Sequence, residues 1–313
     1  MPSFVYWIIG AVLGLVLIIY IIITVYTFGY IFKRAKRETP LLEVELEKTH
    51  YAPHIDVVKE YNGYFENINY ERITIESVDG LKLVGNYYNN NSDKTIIFVH
   101  GYKATPLNNF AVPGYYFYKK KYNLLMIVQR AHGDSEGKYI TFGNLERKDC
   151  VSWVNKINEL YKPSSIVLYG ISMGAASISM SLELGMPENV KALILDCGFT
   201  NAVCEIKNEC KKVFHHIPYP IIYGLYPVTR LIGKFGFHEG DSTRSLSKNK
   251  IPALFIHGTN DKMVPYEMGV KNYEACNSEK EFIKTDAEHA MSIYTNKEEI
   301  EEKFDIFLKK YVK

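Results

Sequence analysis

The chain opens on an apolar run: from Phe4 to Phe32 no side chain carries a charge. Roughly 20 helical residues at about 1.5 Å each cross the hydrocarbon core of a bilayer, so this stretch is long enough to span one with tilt. Aromatic residues mark both ends, Tyr6 and Trp7 first, then Tyr26, Phe28, Tyr30 and Phe32, as suits the two headgroup layers. A cleaved signal peptide would want a basic start, a shorter apolar core and a small-residue cleavage site. "MPSFVYW" has no cation, and "TVYTFGYIF" offers no good cleavage site. The pattern predicts an uncleaved anchor, with the basic flank "KRAKR" (Lys33–Arg37) completing a segment 1–37. Cations after the span place the carboxyl-terminal side in the cytoplasm of a single-pass protein of the cell membrane.

A polar stretch follows from Glu38 to about Tyr70, with Pro40 and Pro53, and is read as a juxtamembrane helix plus connector (38–70). The pattern then becomes strand-like. "ERITIES" (Glu71–Ser77) and "LKLVGNYY" (Leu81–Tyr88) are separated by "VDG", a hairpin signal. "TIIFVHG", "NLLMIVQ", "SSIVLYG", "VKALILD" and "IPALFIHG" are continuous apolar runs, the signature of parallel strands buried on both faces. Between them lie helical patterns. Leu145 to Tyr161 carries Val151, Val154, Ile157 and Leu160 or Tyr161 on one face. Gly174 to Leu184 is rich in small residues, and Glu298 to Val312 closes the chain as an amphipathic helix. Such alternation predicts an α/β domain, 71–313, with a mostly parallel twisted sheet covered on both faces. Ligands of such sheets sit beyond the carboxyl ends of the strands.

Those ends carry the candidate chemistry. "YGISMGAAS" places Ser172 between Gly170 and Gly174, after a buried strand and before a helix. This is the context of a nucleophile elbow, where a tight turn lifts a serine hydroxyl clear of the backbone. A hydroxyl needs a base to take its proton, and that base is a histidine steered by a carboxylate, in the chain order serine, acid, histidine. Asp261 follows one predicted strand and His289 follows the next, "KEFIKT". Ser172 is therefore the candidate nucleophile, His289 the general base and then acid, and Asp261 the group that orients the imidazole. Asp196, also at a strand end, is the rival acid. An oxyanion hole is expected from the backbone N–H groups of Met173 and of Tyr102, the latter in the loop "HGYKAT". His100 is read as a structural hydrogen-bonding group of that loop.

The blocks "VHGYKA", "QRAHGDSEGKYITFG", "YGISMGAAS", "ALILDCGFT", "PALFIHGTNDKMVP" and "AEHAMS" together resemble the α/β-hydrolase superfamily. They are most similar to its bacterial serine-aminopeptidase-like branch of esterases and acyl hydrolases, over about residues 70 to 313. The resemblance implies metal-free, cofactor-free, serine-dependent hydrolysis of esters, thioesters or amides. "QRAHG" departs from the acidic residue and Arg-Gly-His-Gly-like loop often found there. The family also inserts a lid where residues 199–250 lie, a segment too long for a simple connection and rich in Phe, Tyr and Ile. Its apolar inner face would favour an acyl or aromatic group.

Composition adds bounds. With 313 residues, 47% of them apolar, the chain can build a substantial core. A net charge of +2 gives no nucleic-acid footprint. Five cysteines without a CxxC spacing read as free thiols of a reducing compartment rather than a metal site. The expected substrate is thus a small-molecule ester, a lipid-derived acyl group or a peptide. A peptidase or amidase, or an inactive hydrolase fold used as a scaffold, are the competing readings.

Overall fold

A computed structural model describes residues 2–34, 49 and 51–312 of the chain. Lys36, Arg37 and most of the polar stretch before Tyr51 lie outside the described residues.

The apolar run is one helix, α1 (Ser3–Phe32). Its first turns are exposed on every side, but Thr24, Phe28 and Phe32 are buried. The helix end is stitched into the following domain. The Ile31 carbonyl accepts from the Tyr102 hydroxyl at 2.7 Å, and the Phe32 carbonyl from the N–H of Ile140 at 2.7 Å. The last carbonyls of a helix have no partner within it, so these bonds satisfy groups that would otherwise need water. Arg34 adds guanidinium bonds to the carbonyls of Gly133, Ser135 and Gly137.

A single turn at Ala52–His54 leads into α2 (Ile55–Glu66). Val58 and Phe65 of α2 are fully buried beneath the sheet's helices, and Tyr51 joins the same core. The described end of the stretch expected to be a juxtamembrane helix plus connector holds a helix, and it packs as part of the domain. An apolar pair seven residues apart on one helix face finds a buried neighbour and takes it.

Eight strands follow: β1 (Glu71–Glu76), β2 (Lys82–Tyr88), β3 (Lys94–Val99), β4 (Asn123–Val128), β5 (Ser165–Ile171), β6 (Val190–Asp196), β7 (Ala253–Gly258) and β8 (Lys280–Thr285). They form one sheet in the order β1-β2-β4-β3-β5-β6-β7-β8. The β1–β2 and β2–β4 pairs are antiparallel and all later pairs are parallel. Each apolar run predicted as a strand is one, within a residue or two at the ends. Period two splits these runs between two layers. Phe98 and Tyr169 face α2, α3 (Pro106–Lys119) and the carboxyl-terminal helix, whereas Val99 and Leu168 face the opposite layer.

That second layer holds α4 (Glu146–Tyr161) and α5 (Met173–Ser181). The buried face of α4 is Cys150, Trp153, Val154 and Ile157; it keeps Val154 and Ile157 of the face expected from the sequence, with Tyr161 packed beside it, while Val151 is only half-buried and Leu160 is exposed. The Trp153 indole sets the rotation, because it fills the space over Gly85, where a Cβ would stand 3.2 Å from it. After β6 come the lid helices α6 (Ala202–Phe214) and α7 (Tyr219–Val228), a π-turn at Thr229–Gly233 and α8 (Ser242–Leu246). The chain ends with α9 (Tyr266–Ala275), α10 (Ser292–Thr295) and α11 (Lys297–Tyr311). A third apolar cluster joins α1 to the lid and to α5 through Phe28, Phe32, Ile222, Leu225, Phe237 and Met173.

Phe32 thus belongs to the domain core although it ends the apolar run. Phe32→Ala is expected to destabilise the full chain in detergent by about 3–5 kcal/mol. Phe4→Ala, at an exposed position, should change stability by no more than about 0.5 kcal/mol. Equal denaturant midpoints for the two variants would show that α1 is not built into the domain.

Candidate active site

Ser172 sits between β5 and α5 with φ 56° and ψ −118°, a backbone conformation that costs a non-glycine residue about 1–3 kcal/mol. The neighbouring glycines explain how the turn fits. A Cβ on Gly174 would stand 1.8 Å from the Val99 carbonyl oxygen, and one on Gly170 would stand 2.5 Å from the Ala175 nitrogen. The first turn of α5 therefore presses directly on β3 and β5. The Ser172 N–H is held by the Asp196 carbonyl at 2.8 Å.

The loop after β3 lies alongside. A Cβ on Gly101 would stand 3.4 Å from that of Ser172. Asn109 accepts from the Gly101 N–H at 2.8 Å and donates to the Tyr51 hydroxyl at 2.6 Å. His100 spans the Gly101 carbonyl at 2.8 Å and the Gln129 N–H at 3.0 Å, which is the structural role expected of it. Burial pulls its imidazole down to about 4. The N–H groups of Tyr102 and Met173, both candidate oxyanion donors, meet no acceptor among the described residues.

Asp261 follows β7 and His289 follows β8, and the two strands are parallel neighbours. Their loops meet: His289 Nδ1 lies 2.7 Å from Asp261 Oδ2. The other carboxylate oxygen accepts from the N–H groups of Met263 and Val264, each at 2.8 Å. His257 Nε2 lies 3.3 Å from Asp261 Oδ2 and 3.0 Å from the Val264 carbonyl. Burial pushes the Asp261 carboxyl up, but hydrogen bonds from His257 and His289 overcome it and hold the group well below the usual carboxylate range. A carboxylate with this many donors stays ionised and favours the proton on Nδ1 of His289.

Cys197 lies beside the Asp261–His289 pair. It follows β6 with φ 45°, and burial pushes its thiol up against hydrogen bonds from the backbone of Ser172 and of Ala290. Ligand atoms of Cys197, Asp261 and His289 lie within 4.8 Å of one another, the spacing an ion would need. Asp261 and His289 already use that proximity to bond each other.

Asp196, the rival acid, is placed differently. It is buried at the end of β6, and no donor among the described residues bonds either carboxyl oxygen, although the Cys197 thiol lies close. Burial raises its carboxyl to about 7. Neither of its oxygens bonds His289, which pairs with Asp261 instead.

Two positioning residues escaped the sequence reading. His257 shares Asp261, and nothing in "FIHGTND" distinguishes it from a residue ending a strand. His132, in the divergent "QRAHG" loop, accepts from the Lys103 N–H at 3.0 Å and bonds the Arg130 carbonyl at 2.9 Å, so it braces the Tyr102 loop. Arg130 is itself buried between Asp149 at 2.6 Å and Asp79 at 2.9 Å. The loop's side chains make structural bonds, the role expected of it.

A strand order of this kind, with a strained serine after the fifth strand and an acid–histidine pair after the seventh and eighth, defines an α/β-hydrolase. The chain belongs to the family described as serine aminopeptidase, S33, whose model matches residues 90–250. Among curated relatives, YqkD of Bacillus subtilis, itself described as uncharacterized, is 24% identical over 280 residues, 87% of either chain. The lysophosphatidylserine lipase ABHD12 of Danio rerio is 26% identical over 192 residues, 58% of this chain and 47% of that one. Among solved structures, the Pyrococcus furiosus esterase Pf2001 superposes with a TM-score of 0.66 at 26% identity, over 82% of this chain and 94% of its own.

The two buried acids make opposite contributions to the pH dependence of stability. Asp261 stabilises above the unfolded carboxylate value of about 4, and this is lost as pH falls below it. Asp196 keeps its proton where the unfolded chain has released it, so stability declines from about pH 4 until its folded form ionises near 7. Asp196→Asn should flatten that decline and gain on the order of a few kcal/mol over the unsubstituted chain at pH 8. Parallel stability–pH curves for the two proteins would contradict the assignment.

Proposed function

We propose that the chain is a membrane-anchored serine hydrolase acting on carboxylic esters through an acyl-enzyme. The observation that carries the reading is the Asp261–His289 pair after β7 and β8, at the same carboxyl rim of the sheet as the strained Ser172 after β5, where the Met173 and Tyr102 N–H groups meet no acceptor among the described residues. Ser172 Oγ attacks the substrate carbonyl while Nε2 of His289 takes its proton. The N–H groups of Met173 and Tyr102 receive the negative charge, each at about 3 kcal/mol. His289 then returns the proton to the leaving alcohol, and the acyl group stays on Ser172. Water, deprotonated by His289, releases the acid and restores the serine. Asp261 remains ionised throughout and steadies the imidazolium.

The apolar lid and the likeness to an esterase and to a lipase favour an acyl ester. The aminopeptidase description of the family keeps amide hydrolysis as the second reading. The anchor reading rests on α1, whose buried Phe28 and Phe32 make its removal as a signal sequence structurally costly. Lys33, Arg34, Lys36 and Arg37 then put the hydrolase domain in the cytoplasm.

A fluorophosphonate probe should label the full chain in detergent and fail to label Ser172→Ala. Rates on p-nitrophenyl esters of graded chain length, set beside aminoacyl anilides, decide the substrate class. Anilides cleaved faster than every ester would overturn the ester reading in favour of a peptidase. Asp261→Asn should keep the fold at neutral pH and lower kcat by about 10³–10⁴-fold, because the imidazole loses its orienting acceptor. Under the same assay Asp196→Asn should stay within about ten-fold of the unsubstituted chain.

A further inference from the structure

The lid has two apolar faces, and only one is buried. Ile222, Leu225, Phe235 and Phe237 point inward and share a cluster with Met173, the residue after the candidate nucleophile. On the outside, Tyr219 is 47% exposed, Tyr223 63%, Leu231 71% and Ile232 40%. A solvated lid needs no such surface, since exposed apolar residues this close together mark an interaction face.

The position of α1 says what covers that face. The stripe Tyr20, Thr24, Phe28, Phe32, one residue per helical turn, lies on the lid. The Tyr20 hydroxyl donates to the Pro220 carbonyl at 2.7 Å. A Cβ on Gly224 would stand 2.5 Å from that hydroxyl and 2.8 Å from a Thr24 carbon, so the two helices touch backbone to side chain. Gly233 meets Phe28 in the same way at 3.2 Å. The exposed residues flank these contacts in sequence: Tyr219 and Tyr223 beside Pro220 and Gly224, Leu231 and Ile232 beside Gly233.

Depth follows from length. Crossing the hydrocarbon core takes about 20 residues. A span that begins as early as Ser3 still ends after Tyr20. The Tyr20–Pro220 contact therefore lies within the span or at its edge, and it carries the start of α7 to that depth. The exposed cations nearby, Lys211, Arg230 and Lys234, suit the headgroups of the same leaflet. Lys207, half-buried, lies 5.6 Å from the Tyr219 ring centroid.

We propose that the outer face of the lid is seated in the bilayer leaflet next to the hydrolase domain, and that the substrate is an acyl ester resident in that leaflet. The second part rests on the ester-hydrolase reading; the first does not. Behind the outer face, a packed apolar cluster runs from α1 through the lid to Met173, the residue after the candidate nucleophile, so the lid's inner side is apolar as well.

The test uses the full chain in vesicles of phosphatidylcholine and phosphatidylglycerol with brominated acyl chains, in a Trp7→Phe background where Trp153 is buried. Tryptophan introduced as Leu231→Trp or Tyr223→Trp should be quenched about two-fold or more by the brominated chains. Leu160→Trp, at the far end of α4 near the start of β5, should not be. Unquenched tryptophan at both lid positions overturns the proposal. The paired variant Tyr223→Asp with Leu231→Asp should then lower turnover of a long-chain ester in the vesicles by about ten-fold relative to turnover of soluble p-nitrophenyl acetate. An unchanged ratio overturns the leaflet-resident substrate. Quenching together with failure of the unsubstituted chain to hydrolyse either ester would refute the ester-hydrolase reading, and with it the substrate, but leave the seated lid standing.

Discussion

The contact on which this molecule turns is the approach of a helix to a strand with no side chain between them. Gly174 lets the start of α5 rest against the Val99 carbonyl. That closeness leaves the preceding residue no ordinary conformation, and Ser172 takes φ 56°. Strain of the same kind recurs around the rim. Lys103, Ala131, Cys197 and Ala290 follow β3, β4, β6 and β8, and each has a positive φ. Residues in this region are sparse in proteins and persist where surrounding structure over-determines them. Here the sheet supplies the rigidity, and its carboxyl ends collect the strain.

Burial then sorts chemically identical groups by their partners. Asp196 and Asp261 are both aspartates after parallel strands, both shielded from water. Asp261 receives two backbone N–H bonds and faces two histidines, so it remains charged. Asp196 receives no hydrogen bond among the described residues, and burial holds its proton to about pH 7. In a low-dielectric interior the donors decide the charge state, and the charge state decides which aspartate can serve a histidine.

The amino-terminal helix has a double character. Its early turns are exposed on all sides, as lipid would require, and its last turns are core. Phe28 and Phe32 pack with rings of the lid and of the loop after β4, including Phe142 and Phe235. The Tyr102 loop, a candidate oxyanion element, is bonded to the helix through its hydroxyl. On the proposed membrane reading, anchor and site are mechanically one piece, and the distance from bilayer to nucleophile is set by helix geometry rather than by a linker.

The amino-acid order determined the strands, because continuous apolar runs bounded by polar turns have few other stable uses. It also determined the nucleophile turn, since glycines two residues to either side of a serine at a strand end describe a local event. The pairing of Asp261 with His289 was legible for the same reason: each follows a strand, and neighbouring parallel strands bring such loops together. What only tertiary structure decided are the relations between distant segments. No local pattern marks His257 as a second partner of Asp261, His132 as the brace of the Tyr102 loop, or Cys197 as a neighbour of the Asp261–His289 pair. Composition could not tell that Phe28 and Phe32 are core while Tyr26 and Tyr30 are exposed, or that Tyr223 faces outward and Ile222 inward. Hydrophobic side chains have no preferred partner by type, so which surface each one covers is settled by which elements meet in space.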